Sequence, residues 1–468
     1  MSLRLVCVYP WMAMGGADKI NIDMITQLRQ RGWQTTVITT LTHPHPWRDL
    51  FAACAEQIIT IGELDPQEQP HALLEAVVAQ HPDLVLISNS ALGYRLLPAL
   101  RARLPHVAIA DCNHVIDNDM PNGGYPYESA IRSALFDLQI TTSEALRSWM
   151  IACGAPAEQI AVLMTNVDTD QLNPHHYDRA AIRQRFGIPE GAFVGLYAAR
   201  FEALKQPVLA AELMRVTIQH APGSYFFLAG DGSYTPFLRS FIRAHQLEQH
   251  MILLGPVPNR QIPELLAASD VLLLPSRMEG VSVAVYEAMA MAVVPLSVDV
   301  FGQAELVTPA CGILVKPDEH QREAYQQGLI YLASNHMQRE RMRAASRSRV
   351  VEQFAIAQMG DRLDGLLREA IAKHTSMHGR AVLPGEADIA ASIAEGIAGA
   401  EADARWTRVA QRPATKLAQL RKAIRHQYWA LVERGAWWIV PIVDQVIPPV
   451  MALLHAIRRT VNKRLRSN

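Results

Sequence analysis

Glu279 and Glu287 stand eight residues apart in PSRMEGVSVAVYEAMAMAVVPLSVDVFGQAEL, residues 275–306. An apolar run from Val271 to Leu274 precedes them and reads as a buried parallel strand, and a second run from Val293 to Val298 follows. Between the two, Glu279 and Gly280 fall in a turn, and a helix opening near Ser282 carries Glu287. Free backbone N–H groups near Val281 and Ser282 would face the crevice at the carboxyl end of the sheet, where a phosphate binds favourably. Carboxylates flanking such a place accept hydrogen bonds. They suit a neutral, polyhydroxylated ligand attached to a diphosphate.

Arg200 and Lys205, in YAARFEALKQP, directly follow another apolar run, Val194 to Ala198. Two cations at a strand's carboxyl end can hold a diphosphate and stabilise charge building on a leaving group. Gly15 and Gly16, in MGGADK, lie between the first strand and the first helix, where a backbone without side chains admits a phosphate closely. An ordinary glycine turn would look the same. The loop does not match GxGxxG, which counts against a dinucleotide-dependent dehydrogenase. Gly230 and Gly232, in AGDGSY, fit either a nucleotide-side loop or a tight turn. His114, in IADCNHVIDND, follows the run Val107 to Ala110 and so looks toward a cleft, with Asp111, Asp117 and Asp119 as alternative polar groups.

These residues need strands to place them. Apolar runs at Leu3–Tyr9, Thr35–Thr40, Ile58–Ile61, Leu84–Ser88, Val107–Ala110 and Leu138–Thr141 alternate with helical patterns, the first being Ala17–Arg31 with Ile20, Met24, Ile25 and Leu28 on one face. A second series follows the connection at 166–189, with Val194–Ala198, Tyr225–Leu228, Met251–Leu254, Val271–Leu274 and Val293–Leu296. Such alternation predicts an α/β fold of two doubly wound parallel sheets, each covered by helices on both faces.

The 275–306 stretch resembles the E-x7-E element of the retaining nucleotide-sugar glycosyltransferases of family 4, which have the GT-B fold of two Rossmann-like domains facing across a cleft. The resemblance covers roughly residues 1–370, ending in VVEQFAIAQMGDRLDGLL, where the family's last helix crosses back to the first domain. It implies that Arg200 and Lys205 bind the donor's diphosphate and that Glu279 accepts from the sugar hydroxyls. By the same resemblance Glu287 accepts from the ribose, and His114 contacts the sugar and assists catalysis. Gly15, Gly16, Gly230, Gly232, Gly280, Val281 and Ser282 would line the donor site. The implied reaction moves a sugar from a nucleotide-diphosphate donor to a glycan or lipid-linked acceptor hydroxyl with anomeric retention, using no metal and no cofactor. Three positions depart from the family pattern: Ala292 and Phe301 stand where glycines are usual, and TNVD, 165–168, replaces NGVD.

A chain of 468 residues, half of them hydrophobic and 19% charged, can bury two full cores. The organisation expected is a first domain over 1–170 and a nucleotide-sugar domain over 171–373. A linker with weak helix over 374–411 and a basic helical extension over 412–468 would follow. A net charge of −1 gives no reason to expect nucleic acid. From Arg412 onward, however, eleven Lys/Arg face only Glu433 and Asp444, leaving −10 for the rest. There, Tyr428, Trp429, Trp437 and Trp438 and apolar pieces broken by Pro441, Asp444, Pro448 and Pro449 fit an anchor lying on an anionic membrane surface better than a span. Amphipathic helices packed on protein are the alternative. Isolated cysteines, odd in number, and an N-terminus lacking a signal-peptide pattern point to a cytoplasmic protein, peripheral on the membrane's inner face. Competing functions are a GT-B nucleotide-sugar epimerase and a non-catalytic sugar-nucleotide-binding or membrane scaffold protein.

Overall fold

The computed structural model describes residues 2–13, 15–117, 120–277, 279, 281–376 and 384–411. Gly280, Asp119 and the extension at 412–468 lie outside the described residues, and so do the readings that rest on them.

The first lobe holds β1 (Arg4–Tyr9), β2 (Gln34–Thr39), β3 (Gln57–Thr60), β4 (Leu84–Ile87), β5 (Ala108–Asn113), β6 (Leu138–Thr141) and β7 (Ile160–Val162). Among the described residues they form a sheet of order β3-β2-β1-β4-β5-β6-β7 with every pairing parallel. The second lobe holds β8 (Phe193–Ala198), β9 (Ser224–Ala229), β10 (Met251–Gly255), β11 (Val271–Leu274), β12 (Val294–Val298) and β13 (Ile313–Val315). Their order is β10-β9-β8-β11-β12-β13, again all parallel. In each sheet the strand order reverses at the first strand, beside β1 and β8, which opens a crevice at the carboxyl ends.

Alternation along each strand feeds two cores. Leu5, Cys7 and Tyr9 of β1 enter one cluster while Val6 and Val8 enter another on the opposite face. Tyr197 of β8 likewise packs in one core and Val194 and Leu196 in the other. The two sheets and their helices are the expected GT-B arrangement. The edge strands β7 and β13 were not anticipated, because three residues carry too little periodicity to read.

The lobes are joined at several points. Val167 pairs with Ala355, its N–H donating to Phe354 O at 3.1 Å, and the Ile356 N–H donates to Val167 O at 2.9 Å. The helix Ile356–Ser376 then crosses to the first lobe, burying Met359, Leu363, Leu367 and Ala370 in its core. Part of the stretch read as a linker with weak helix packs on the first lobe instead. Glu386–Gln411 is a helix packed on the helices Gln69–Ala79, Ala91–Arg95 and Leu97–Arg103. Ile389 and Ile393 pack against the first lobe's core, and a β-carbon on Gly396 would sit 3.2 Å from Leu96 Cδ2.

Asp270, at the amino end of β11, is 1% exposed. Its carboxylate accepts from Arg179 at 2.5 Å, Arg183 at 3.0 Å and the Val194 N–H at 2.8 Å, with Arg343 at 3.5 Å and Arg339 at 3.8 Å. Burial alone would raise its pKa, but the surrounding guanidiniums outweigh that and hold it below the ordinary carboxylate range. Ala292 ends the Val283–Ala290 helix at φ +55°, in the left-handed conformation that favours glycine. The Val293 N–H donates to Ala288 O at 2.8 Å, completing the helix-ending pair of bonds.

Asp270→Asn leaves buried guanidiniums uncompensated and should destabilise the protein by about 3–5 kcal/mol in urea denaturation. Ala292→Gly, relieving the left-handed β-carbon, should stabilise it by about 1 kcal/mol in the same assay.

Candidate functional site

The chain leaving β8 passes Arg200, which is exposed, and turns through Ala203–Lys205. Gln206 at φ +50° redirects it into the helix Pro207–His220, and Tyr197 donates to Lys205 O at 2.8 Å. The chain leaving β11 meets this turn, the Arg277 N–H donating to Leu204 O at 2.9 Å. That contact brings Lys205 and Glu279 together, Lys205 Nζ donating to Glu279 Oε1. A cation from one loop and a carboxylate from the next thus share one corner of the crevice.

Gly230 and Gly232 have a packing role of their own. A β-carbon on Gly230 would lie 1.8 Å from Ala199 O, and one on Gly232 2.6 Å from Phe201 O. Both glycines let the turn after β9 press against the segment holding Arg200. The Phe201 N–H donates to Asp231 O at 2.8 Å, and Glu202 accepts from Ser233 N–H at 2.9 Å and Ser233 Oγ at 2.5 Å. Glu202 was not singled out from the sequence, and nothing local marks it.

Val281 and Ser282 are buried at the start of the helix Val283–Ala290. The Ser282 N–H, expected to meet phosphate, already donates to Gln303 Oε1 at 3.1 Å, so it is not free to do so. Gln303 is fully buried and its amide also donates to Ser297 Oγ at 3.2 Å. Glu287 faces the first lobe, where Lys19 and Asp23 are its charged neighbours. Burial raises its pKa to about 7, Lys19 opposing the shift and Asp23 adding to it.

On the first lobe, Gly15 precedes the helix Gly16–Gln30 in an extended conformation that any residue adopts. A β-carbon on Gly16 would lie 3.8 Å from Val283 Cγ2, so this loop faces the first turn of the helix Val283–Ala290. Asp18 holds the loop, accepting from the Ala13 N–H at 3.3 Å, and burial raises its pKa to about 6. His114, 8% exposed, lies just past β5 with Nε2 3.0 Å from Ser88 Oγ and Nδ1 buried without a partner. Burial lowers its pKa to about 4, so the imidazole is neutral near pH 7. Its neighbour Asp111 is fully buried, accepts from Tyr94 and Asn113 at 2.9 Å each, and is raised to about 7 by burial.

The structure therefore joins Lys205 to Glu279, sets Gly16 against the Val283 turn and turns Glu287 toward Lys19. It does not give Arg200 a side-chain partner among the contacts of the described residues, and it leaves His114 buried in the first lobe against Ser88.

Residues 178–349 match the family model described as Glycosyl transferases group 1. The chain is 28% identical over 192 residues to alpha-D-kanosaminyltransferase of Streptomyces kanamyceticus, covering 41% of this chain and 49% of that protein. It is 27% identical over 214 residues to the GDP-mannose-dependent monoacylated alpha-(1-6)-phosphatidylinositol monomannoside mannosyltransferase of Corynebacterium glutamicum, covering 44% and 55%. The chain thus spans about half the length of these curated relatives. Anabaena HepE in complex with UDP superposes with a TM-score of 0.67 at 18% identity, covering 78% of this chain and all of that one, a likeness of fold.

The raised pKa of Glu287 carries a sign that can be tested. A carboxyl raised on folding contributes stability that is complete below its unfolded value, about 4.3, and is lost as pH rises through about 7. Urea midpoints of the wild type should therefore fall between about pH 5 and pH 8 relative to those of Glu287→Gln.

Proposed function

We propose that the chain, whose residues 178–349 match the glycosyl transferases group 1 family model, moves a sugar from a nucleotide-diphosphate donor to an acceptor hydroxyl with anomeric retention. The observation that carries this reading is the pairing of Lys205 with Glu279 where the loops after β8 and β11 meet. A diphosphate arriving there competes for Lys205 as a stronger anion and releases Glu279 to accept from the sugar's hydroxyls. Arg200, exposed on the neighbouring segment, is available to the same diphosphate.

The bond from anomeric carbon to phosphate oxygen breaks as the acceptor oxygen approaches from the same face. The departing phosphate oxygen takes the acceptor's proton. Arg200 and Lys205 stabilise the charge that develops on the diphosphate, the role a divalent cation would otherwise fill, so the step is assigned no metal. His114, neutral and just past β5 in the first lobe, would offer the sugar a hydrogen bond rather than a charge. Glu287, ionising near neutrality, accepts from the ribose.

UDP in the HepE complex and the phosphatidylinositol mannoside in the name of the corynebacterial relative support a nucleotide-sugar donor and a lipid-linked or glycan acceptor. The composition of 412–468 supports work at the inner, anionic face of the cytoplasmic membrane. Among the described residues no helix is long and apolar enough to cross a membrane.

Arg200→Ala and Glu279→Ala, each shown to be folded, should transfer sugar about 100- to 1,000-fold more slowly, with product formed in the donor's anomeric configuration and at the same rate in EDTA. Transfer at the wild-type rate by both variants would overturn the reading. Replacing the Lys and Arg residues of 412–468 by Gln should abolish flotation with anionic vesicles while leaving soluble-acceptor turnover intact.

A further inference from the structure

Phe301 is a bulky aromatic residue in a conformation suited to glycine. Its φ is +46°, and its side chain is 37% exposed at the carboxyl end of β12. Both properties work against folding: a β-carbon is disfavoured in the left-handed region, and an exposed ring forgoes burial. Neither can relax, because the backbone around the residue is held on every side. The Asp299 N–H donates to Val315 O at 2.7 Å, and the Gln303 N–H to Val300 O at 3.2 Å. Gly302 is wedged between the lobes, where a β-carbon would lie 2.5 Å from Ser143 Cβ and 2.7 Å from Val281 Cγ2. The Gln303 side chain is bonded to the Ser282 N–H and Ser297 Oγ. Glycine at 301 would satisfy this backbone with no strain, so the ring adds nothing that the fold requires. Strain of this kind, imposed by a rigid surround, marks a functional position.

What the ring faces follows from its neighbours. Gly302 packs on Val281, in the turn that follows Glu279, and on Ser143 of the first lobe, and Gln303 accepts from the Ser282 N–H. The exposed ring is therefore carried by the residue next to the junction of the two lobes, on the loop that packs against the turn after Glu279. A pyranose presents hydroxyls at its edge and C–H groups on its faces. Glu279 suits the first and an aromatic ring the second. We infer that Phe301 is a specificity-determining residue that packs against the C–H face of the donor's sugar and selects among sugars by the shape of that face. This inference rests on the glycosyltransferase reading of the same site.

The test compares the wild type, Phe301→Gly and Phe301→Tyr by calorimetry. UDP, GDP and ADP are titrated first, then the glucose, galactose, mannose and N-acetylglucosamine conjugates of the nucleotide that binds. The expected result is parent-nucleotide affinity within about two-fold in all three proteins. The wild type's preference among sugars should shrink about five- to ten-fold in Phe301→Gly and persist in Phe301→Tyr. The unliganded Phe301→Gly protein should also melt at a higher temperature. An unchanged sugar preference in Phe301→Gly overturns the role of Phe301 and leaves the glycosyltransferase reading standing. A folded wild type that binds none of the nucleotides overturns both.

Discussion

One buried carboxylate organises the second lobe. Asp270 ties the start of β11 to β8 through the Val194 N–H, and its arginine partners extend the tie. Arg179 also donates to Ala267 O and Ser269 O, Arg183 to Ala268 O and Ala192 O, and Arg343 to Ala292 O just ahead of β12. The amino ends of three adjacent strands are thereby fixed by charge-assisted bonds in a low-dielectric interior. Their carboxyl ends carry Arg200 and Lys205, then Glu279, then Phe301. Buried ion pairs of this kind add little net stability compared with apolar packing, but they tolerate few alternative arrangements. A loop on such strands inherits their position.

Rigidity at one end permits irregularity at the other. Gln206 and Phe301 hold left-handed backbone without being glycine in segments beyond the carboxyl ends of strands, and Ala292 does so at the other end, just ahead of β12. Two of these, Ala292 and Phe301, are among the positions where the chain departs from the pattern of the family it resembles, which usually has glycine there. Their unusual residue types were visible in the sequence. That both sit at positive φ required coordinates, because nothing in VPLSVDVFGQ distinguishes a strained phenylalanine from an ordinary loop residue.

The same boundary separates what could be read from what could not. Parallel strands as apolar as VLLL and LVLI announce themselves, since both faces are covered. The packing of the helix at Glu386–Gln411 did not, because beyond Ile389 and Ile393 its contact face passes to Gly396 and Gly399, which allow close approach without a continuous stripe of large apolar side chains. The charged residues proposed for the site could be singled out from type and strand position. Their pairing could not: Lys205 and Glu279 are 74 residues apart, and the bond depends on how two loops cross. Gln303 escaped notice for a related reason, since its whole role lies in bonds to residues that the sequence places elsewhere.

Glu305 belongs to the second lobe, yet its carboxylate accepts from the N–H groups of Glu144 at 2.9 Å and Ala145 at 3.0 Å, the first residues of the helix Glu144–Ala152 in the first lobe. Ser143 supplies that helix with its own cap through the Leu146 N–H, but two of its initial amides depend on a side chain across the cleft. Parting of the lobes at this point leaves those amides to water. Their rate of deuterium uptake is thus a built-in gauge of how often the two halves of the molecule come apart.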